Sequence, residues 1–178
     1  MDTIRELAFE AVVDFRIKCL RLWPGHLEAV IAGKDFKWNL TIGWNDSLGK
    51  LWLTSTPTAW IRRDRRVAML ELLATINSSL RSGQFDLKAI WYGYANFESS
   101  ALVLKDGVPS MELIADIVHR HRKIVEHCDP GVAAVLAETM SPQKAFALLK
   151  GQKPGVLVPG KFDQVSRAVT LTDPFDFP

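Results

Sequence analysis

The sequence predicts an α+β fold in which an antiparallel sheet is packed with helices, and three observations support this. Residues Phe36 to Trp44 alternate between apolar and polar side chains, which is the period of a strand with one buried face. Turn residues at 45–49 lead into a second such stretch at Lys50 to Thr56, so the pair predicts a hairpin. Apolar residues then recur at steps of three and four over Arg63 to Leu80 and again over 110–128, which predicts two helices.

Further elements are predicted on either side of these. Residues 3–22 have the period of a helix that is apolar on nearly every side, so we expect this helix to be buried on more than one side. The short apolar run from Leu27 to Ala32 predicts a strand. Residues 84–104 are rich in aromatic and β-branched side chains and predict one or two strands, interrupted near Gly93.

Capping and breaking residues delimit the helices of the C-terminal half. Ser110 is a good N-cap for the third helix, and Asp129–Pro130–Gly131 is expected to end it. The apolar stretch 131–137 fits either a helix or a strand. Ser141 as N-cap and Gly151 after the last turn predict a short fourth helix.

The composition indicates one globular domain in a reducing compartment. The chain has 178 residues, of which 48% are hydrophobic and 24% charged, so a sizeable core is expected. Cys19 and Cys128 lie in apolar stretches and are expected to be reduced thiols. The first residues lack the pattern of a signal peptide, and no run reaches the roughly 18 apolar residues of a membrane-spanning helix. These features predict a cytoplasmic protein that does not contact the membrane.

The chain divides by composition into a domain at 1–150 and a Pro/Gly-rich C-terminal tail at 151–178. Four of the nine prolines lie in the tail. The tail is either an extended segment partly ordered by packing on the domain, or a segment that docks on a neighbour. Within it, Val165 to Leu171 has the composition of an edge strand.

Three aromatic residues are candidate contacts for a partner. Trp52 lies between Leu51 and Leu53, so it points to the opposite face of its strand. If the leucines are core, Trp52 lies on the outer face of the sheet, and Tyr92 and Tyr94 extend that face. An exposed aromatic face could bind a polypeptide or stacked bases; alternatively, a helix or the tail covers it.

A run of arginines is the candidate anion site. Arg62, Arg63, Arg65 and Arg66 lie at the predicted start of the second helix, where cations oppose the helix dipole. They could contact phosphate groups or an acidic partner, or they could be solvated and paired with neighbouring acids. The formal net charge is only +2, so nucleic-acid binding would have to depend on such a local patch.

The sequence contains no motif that predicts catalysis. It has none of the spacings of a nucleophile elbow, a phosphate-binding loop or a zinc protease helix. His119 and His121 lie two residues apart on the third helix and point to different sides, so they are not expected to share a metal. The basic run at 119–123 predicts a solvated helix face. We therefore expect no catalytic residues, no metal site and no cofactor.

Three segments resemble the YbjN family of proposed bacterial sensory-transduction regulators. They are Leu72 to Leu87, Ser99 to Leu104 and His127 to Leu149, and the clear similarity spans about residues 60–150. Within them, Ile76–Asn77 and Gly83–Leu87 are similar to the family's helix end and strand start. The resemblance implies a fold like that of type III secretion chaperones, which are commonly dimeric, and it implies no catalytic residues. The arginine run and the tail depart from the family pattern.

Together these features predict a non-catalytic regulator or chaperone-like protein that binds a polypeptide partner and forms a homodimer. Its partner is expected to lie against Trp52, Tyr92 and Tyr94. The alternative is a nucleic-acid or anion binder that uses the arginine run at 62–66. The two hypotheses differ in their predicted salt dependence.

Overall fold

The structure is a computed structural model that describes residues 3–88 and 93–151. The helices are α1 (Ile4–Asp14), α2 (Arg66–Asn77), α3 (Met111–Leu136) and α4 (Pro142–Gly151). The strands are β1 (Lys18–Leu22), β2 (His26–Ala32), β3 (Lys37–Asn45), β4 (Lys50–Pro57), β5 (Gln84–Lys88), β6 (Tyr94–Leu102), β7 (Leu104–Lys105) and β8 (Val108–Pro109). Short 3-10 turns lie at Asp46–Leu48 and Arg63–Arg65. The tail at 151–178 lies almost entirely outside the described residues.

Six strands form one antiparallel sheet in the order β1-β2-β3-β4-β6-β5, which confirms the predicted α+β class. β1 and β5 are therefore its two edges. The hairpin between β3 and β4 turns through Gly49, whose φ of 57° suits a glycine. β7 and β8 form a separate small hairpin before α3.

The core lies between one face of the sheet and the helices. The inward side chains of the central strands are fully buried, among them Trp38, Leu40, Ile42, Leu53 and Phe97. α1 packs on β1, β2 and β3, whereas α3 packs on β2, β4 and β6. α2 packs on β5, and α4 packs on α2 and α3. The side chains that point from the strands away from the helices are mostly polar, so the sheet has one apolar and one polar face.

The prediction of a first helix over residues 3–22 is wrong for its second half. α1 starts with a capping box between Thr3 and Glu6 but ends at Asp14, and residues 18–22 form β1. Arg16 has a φ of 55°, a backbone conformation that does not continue a right-handed helix. Residues 18–22 gain backbone hydrogen bonds by pairing with β2. This pairing is favoured over the helix that their apolar spacing predicts. Cys19 consequently lies half-buried in an edge strand, while Cys128 is buried in α3.

The predicted end of the third helix at Asp129–Gly131 is also wrong, because α3 continues through these residues to Leu136. Pro130 lacks an N–H, yet Asp129, Pro130 and Gly131 are all buried within the continuous helix. Gly131 lies against α4, where an added Cβ would be 2.8 Å from Leu149 Cδ1. Asp129 is fully buried and bonded to the β2–β3 turn.

The second helix ends at Asn77, three residues before the predicted end, and Asn77 itself explains the boundary. Its Oδ1 accepts a hydrogen bond from the Phe85 N–H at 2.7 Å, and its Nδ2 donates to the Phe85 carbonyl at 2.9 Å. One side chain thereby satisfies both backbone groups that the edge strand β5 presents away from β6 at this residue. Gly83, with a φ of 76°, places β5 next to Asn77.

Replacing Asn77 with alanine is expected to destabilise the protein by about 1–3 kcal/mol, because two part-buried backbone groups of Phe85 lose their partner. Urea denaturation followed by far-UV circular dichroism measures this loss. Asn39→Ala is the matched control, since Asn39 is exposed on β3 and should change stability by less than about 0.5 kcal/mol. Equal stabilities of the two variants would show that the Asn77 bonds contribute nothing.

No helix among the described residues is both long and apolar enough to cross a membrane.

Candidate binding face

Trp52 points outward from β4, as its position between two leucines predicts. Leu51 and Leu53 are fully buried, whereas 39% of the Trp52 surface is exposed. The indole lies over Gly43, its partner residue on β3: a Cβ at Gly43 would be only 2.3 Å from Trp52 Cε2. The glycine therefore allows the ring to lie against the sheet, which presents a fixed aromatic surface to solvent.

Trp52 forms part of an open groove of about 890 Å³ on the outer face of the sheet. Polar groups from four strands line it: Asn45, Lys50, Thr54, Gln84, Glu98 and Ser100. Leu48 adds an apolar contact at one end. A groove that combines one aromatic surface with many hydrogen-bonding groups suits an extended polypeptide, whose backbone needs donors and acceptors along its length.

The charged side chains beside the groove pair with one another. Lys88 Nζ lies 3.1 Å from Asp86 Oδ2 and 3.3 Å from Glu98 Oε1. Its hydrogen bonds to Asp86 and Glu98 raise the pKa of Lys88, and the hydrogen bond from Lys88 lowers the pKa of Asp86. Asn96 also donates to Glu98 Oε1, at 2.8 Å. Binding in this groove should therefore depend little on long-range attraction.

The structure does not bring Tyr94 to Trp52. Trp52 pairs with Ser100 on β6, and Tyr94 lies six residues away on that strand, a distance of about 20 Å. Tyr94 is half-buried and instead contacts Trp60 edge-on, with ring centroids 6.0 Å apart. Tyr92 lies outside the described residues.

The arginine run begins before α2 rather than within it. Arg62 forms an ion pair with Asp64 at 2.9 Å and is 71% exposed in its side chain. Arg65 is only 28% exposed in its side chain and pairs with Glu138, two residues after the end of α3. Arg63 is exposed and Arg66 half-buried. Arg62 and Arg65 are thus engaged by carboxylates of the chain itself.

The prediction that residues 119–123 form a solvated face is wrong, because His119 and His121 are buried. α3 lies on the sheet, so this side of the helix faces the core rather than solvent. His121 Nε2 lies 2.8 Å from Ser55 Oγ, and His121 Nδ1 lies 2.7 Å from Ser99 Oγ. Burial lowers the pKa of His121 to about 3.

His119 is less enclosed than His121 and contacts the ring of Phe15, with centroids 5.2 Å apart. Burial, with smaller contributions from Lys123 and Arg122, lowers the pKa of His119 to about 4. Both imidazoles are consequently neutral near pH 7.

The Ser55–His121 pair has the hydrogen-bond distance of a nucleophile and its base, but both side chains are enclosed in the core. Ser55 is fully buried beneath the sheet, so no substrate can reach its hydroxyl. A histidine with a pKa near 3 is also a weak base at neutral pH. Among residues 3–88 and 93–151, no three His, Cys, Asp or Glu side chains are grouped to hold a metal ion.

Comparisons with known proteins show the fold. The structure is similar to the crystal structure of YbjN from E. coli, which is described as a candidate transcription regulator. The TM-score is 0.52 at 14% sequence identity, and the similarity covers 74% of this chain and 87% of YbjN. No protein-family model matches the sequence, and no curated protein matches it either. The chain therefore has a YbjN-like fold, as its sequence resemblance predicts.

Proposed function

We propose that this YbjN-like protein is a non-catalytic regulator or chaperone-like protein that binds an extended polypeptide segment across Trp52. The observation that carries the proposal is the exposed indole, which lies over Gly43 in an open groove lined by hydrogen-bonding side chains. The neighbour YbjN is described as a candidate regulator, which is compatible with this role.

The groove suggests how binding would occur. An apolar or aromatic side chain of the partner stacks on the exposed face of Trp52, where it removes apolar surface from water. Groups such as Asn45, Gln84 and Ser100 then supply donors and acceptors for the partner backbone. Because Asp86, Lys88 and Glu98 already pair with one another, the contact depends on packing more than on charge.

Replacing Trp52 with alanine is expected to weaken peptide binding about 30-fold or more, since tryptophan anchors commonly contribute 2 kcal/mol or more to an interface. An array of random 15-residue peptides identifies binders of the wild-type protein, and fluorescence polarisation then measures the Kd of each variant. The affinity should change by less than a factor of about three between 50 and 500 mM salt.

Trp23→Ala is the matched control for this experiment. Trp23 is 42% exposed, close to the 39% of Trp52, but it lies between β1 and β2, beyond the residues that line the groove. It should leave the Kd unchanged within twofold. Equal losses from the two variants would assign binding to general surface hydrophobicity, and retention of no peptide by the wild type would overturn the proposal.

Nucleic-acid or anion binding by the arginine run is the alternative function. It is less well supported, because Asp64 and Glu138 already pair with Arg62 and Arg65. If it is correct, changing Arg62, Arg63, Arg65 and Arg66 to alanine abolishes retention of nucleic acid, and affinity falls steeply with salt. Trp52→Ala would then have no effect, which separates the two functions in one set of measurements.

We further propose that the protein is a cytoplasmic homodimer. Phe9 and Val13 of α1 are 39% and 53% exposed. A second copy would remove this apolar surface from water.

A further inference from the structure

A second concavity lies at the edge of the sheet, away from the Trp52 groove. It has a volume of about 360 Å³ and is formed where α1 leads into β1 and where β2 turns into β3. Four cationic side chains line it: Arg16, Lys18, Lys37 and Arg122. We call it the cationic cleft. Leu20, Val30 and Ala32 add apolar lining between the charges.

The cationic cleft has an excess of positive charge that the described residues do not neutralise. No aspartate or glutamate lines it. Arg122 donates to Glu126 Oε1 at 2.6 Å and also to the Phe15 carbonyl, so its charge is largely satisfied. Within residues 3–88 and 93–151, no carboxylate lies within 4.0 Å of Arg16, Lys18 or Lys37. An anionic group in the cleft would relieve the repulsion among these cations.

The cleft adjoins a strand edge that is available for pairing. Among the described strands β1 pairs only with β2, so its other side presents backbone N–H and C=O groups along Lys18–Leu22. The cleft lies at the Lys18 end of this edge. A segment that pairs antiparallel to β1 would therefore leave the sheet at the cleft, with its later residues next to the cations.

The tail of this chain has the complementary sequence. Val165 to Leu171 is rich in β-branched residues, as in an edge strand, and the segment that follows carries two acids and two aromatic rings at Asp173, Phe175, Asp176 and Phe177. No lysine or arginine follows Arg167. Acids and aromatic rings in alternation match a cleft that combines cations with an apolar lining.

The tail is long enough to reach the cleft. α4 ends at Gly151, and its Leu149 packs at Gly131, nine residues along α3 from Arg122, or about 14 Å. The 22 residues from Gly151 to Asp173 span up to about 70 Å when extended. The geometry of the domain therefore does not prevent the contact.

We propose that the tail docks on its own domain, with Val165–Leu171 added to the edge of β1 and with Asp173 and Asp176 in the cationic cleft. The cations of the cleft then gain the carboxylates that the domain itself does not provide. Phe175 and Phe177 lie against Leu20, Val30 and Ala32. The docked tail covers the edge of the described sheet that lies opposite β5, where Asn77 bonds Phe85.

Zero-length carbodiimide crosslinking of the full-length protein tests this directly, because it joins lysine to carboxylate only where the two are in contact. Mass spectrometry should find Lys18 or Lys37 joined to Asp173 or Asp176. The Lys88–Glu98 pair, 3.3 Å apart, is the internal positive control. Asp173→Asn/Asp176→Asn should remove the tail crosslinks, and Asp163→Asn, a matched change elsewhere in the tail, should leave their yield unchanged within twofold.

Mixing isotopically light and heavy protein before crosslinking distinguishes docking within one chain from docking between copies. Docking within one chain gives crosslinks only between peptides of the same label. Mixed-label crosslinks would show that the tail docks on a second copy and would overturn the proposal as stated. Formation of the Lys88–Glu98 crosslink without any tail crosslink would also overturn it.

Hydrogen exchange supplies a readout that does not depend on the crosslinked residues. In the full-length protein the amides of Lys18–Leu22 should exchange at least about tenfold more slowly than in Asp173→Asn/Asp176→Asn, because docking protects the strand edge. Equal exchange in the two proteins would contradict the pairing of the tail with β1.

Discussion

Replacing Asp129 with alanine is expected to lower the free energy of unfolding by about 3–5 kcal/mol, which is a large fraction of the stability of a typical domain. The carboxylate is fully buried. It accepts hydrogen bonds from the Asp35 N–H at 2.6 Å, from the Phe36 N–H at 3.2 Å and from Trp38 Nε1 at 2.8 Å. Alanine leaves all three donors without an acceptor, at a cost of about 1–3 kcal/mol for each that remains buried.

The measurement is urea denaturation at pH 7, monitored by circular dichroism, with Asp116→Ala as the control. Asp116 lies on the same helix but pairs with Arg120 on the surface, and it should contribute about 0.3–0.5 kcal/mol. The free energy of unfolding of Asp129→Asn should fall between those of Asp129→Ala and Asp116→Ala. Its amide oxygen can accept from Trp38, but its N–H groups face another donor. Equal stabilities of Asp129→Ala and Asp116→Ala would show that the β2–β3 turn does not depend on this carboxylate.

Asp129 also shows where sequence reasoning fails for this fold. The run Asp129–Pro130–Gly131 carries every local signal of a helix end, and α3 nevertheless continues through it. The reason is tertiary, since Asp129 holds a turn 94 residues earlier in the chain and Gly131 accommodates Leu149 of α4. No local window contains these contacts, so no periodicity could have predicted them.

The elements that the sequence predicts correctly are those whose cause is local. The alternation of 36–44 and the turn at 45–49 define the β3–β4 hairpin, and parity alone places Trp52 on the outer face. Residues 18–22 have a helical period, and their strand exists only because β2 pairs with them. Local patterns thus determine the centre of the sheet, whereas its edge depends on the assembled fold.

The same distinction separates the candidate sites. The outward direction of Trp52 follows from its two neighbours, but the support of its ring by Gly43 depends on strand register. Tyr94 is predicted on the outer face, and only the register shows that it lies far from Trp52. His121 gives no sequence signal at all, because its partner Ser55 lies 66 residues away.

Acid is expected to unfold this protein at a higher pH than protonation of its carboxylates alone would, because His121 is buried as a neutral imidazole. Its pKa is about 3 in the folded protein and about 6.5 in the unfolded chain. Between these values the unfolded chain binds a proton that the folded protein does not bind. The stability contributed by the neutral ring is therefore complete above pH 6.5 and falls as the pH is lowered, by up to about 1.4 kcal/mol per pH unit.

His121→Gln isolates the contribution of His121 protonation to the pH dependence of stability, because glutamine keeps hydrogen-bonding groups near Ser55 and Ser99 but does not titrate. The variant should be less stable than the wild type at pH 7.5 by about 1–2 kcal/mol, yet lose less stability between pH 6.5 and 4.5. Urea denaturation at pH 7.5, 6.5, 5.5 and 4.5 gives both slopes, and carboxylate titration cancels in their difference. His26→Gln, at a side chain that is 41% exposed, is the matched control for the substitution. If His121→Gln runs parallel to the wild type over this range, the imidazole is protonated in the folded protein and its burial does not govern acid stability.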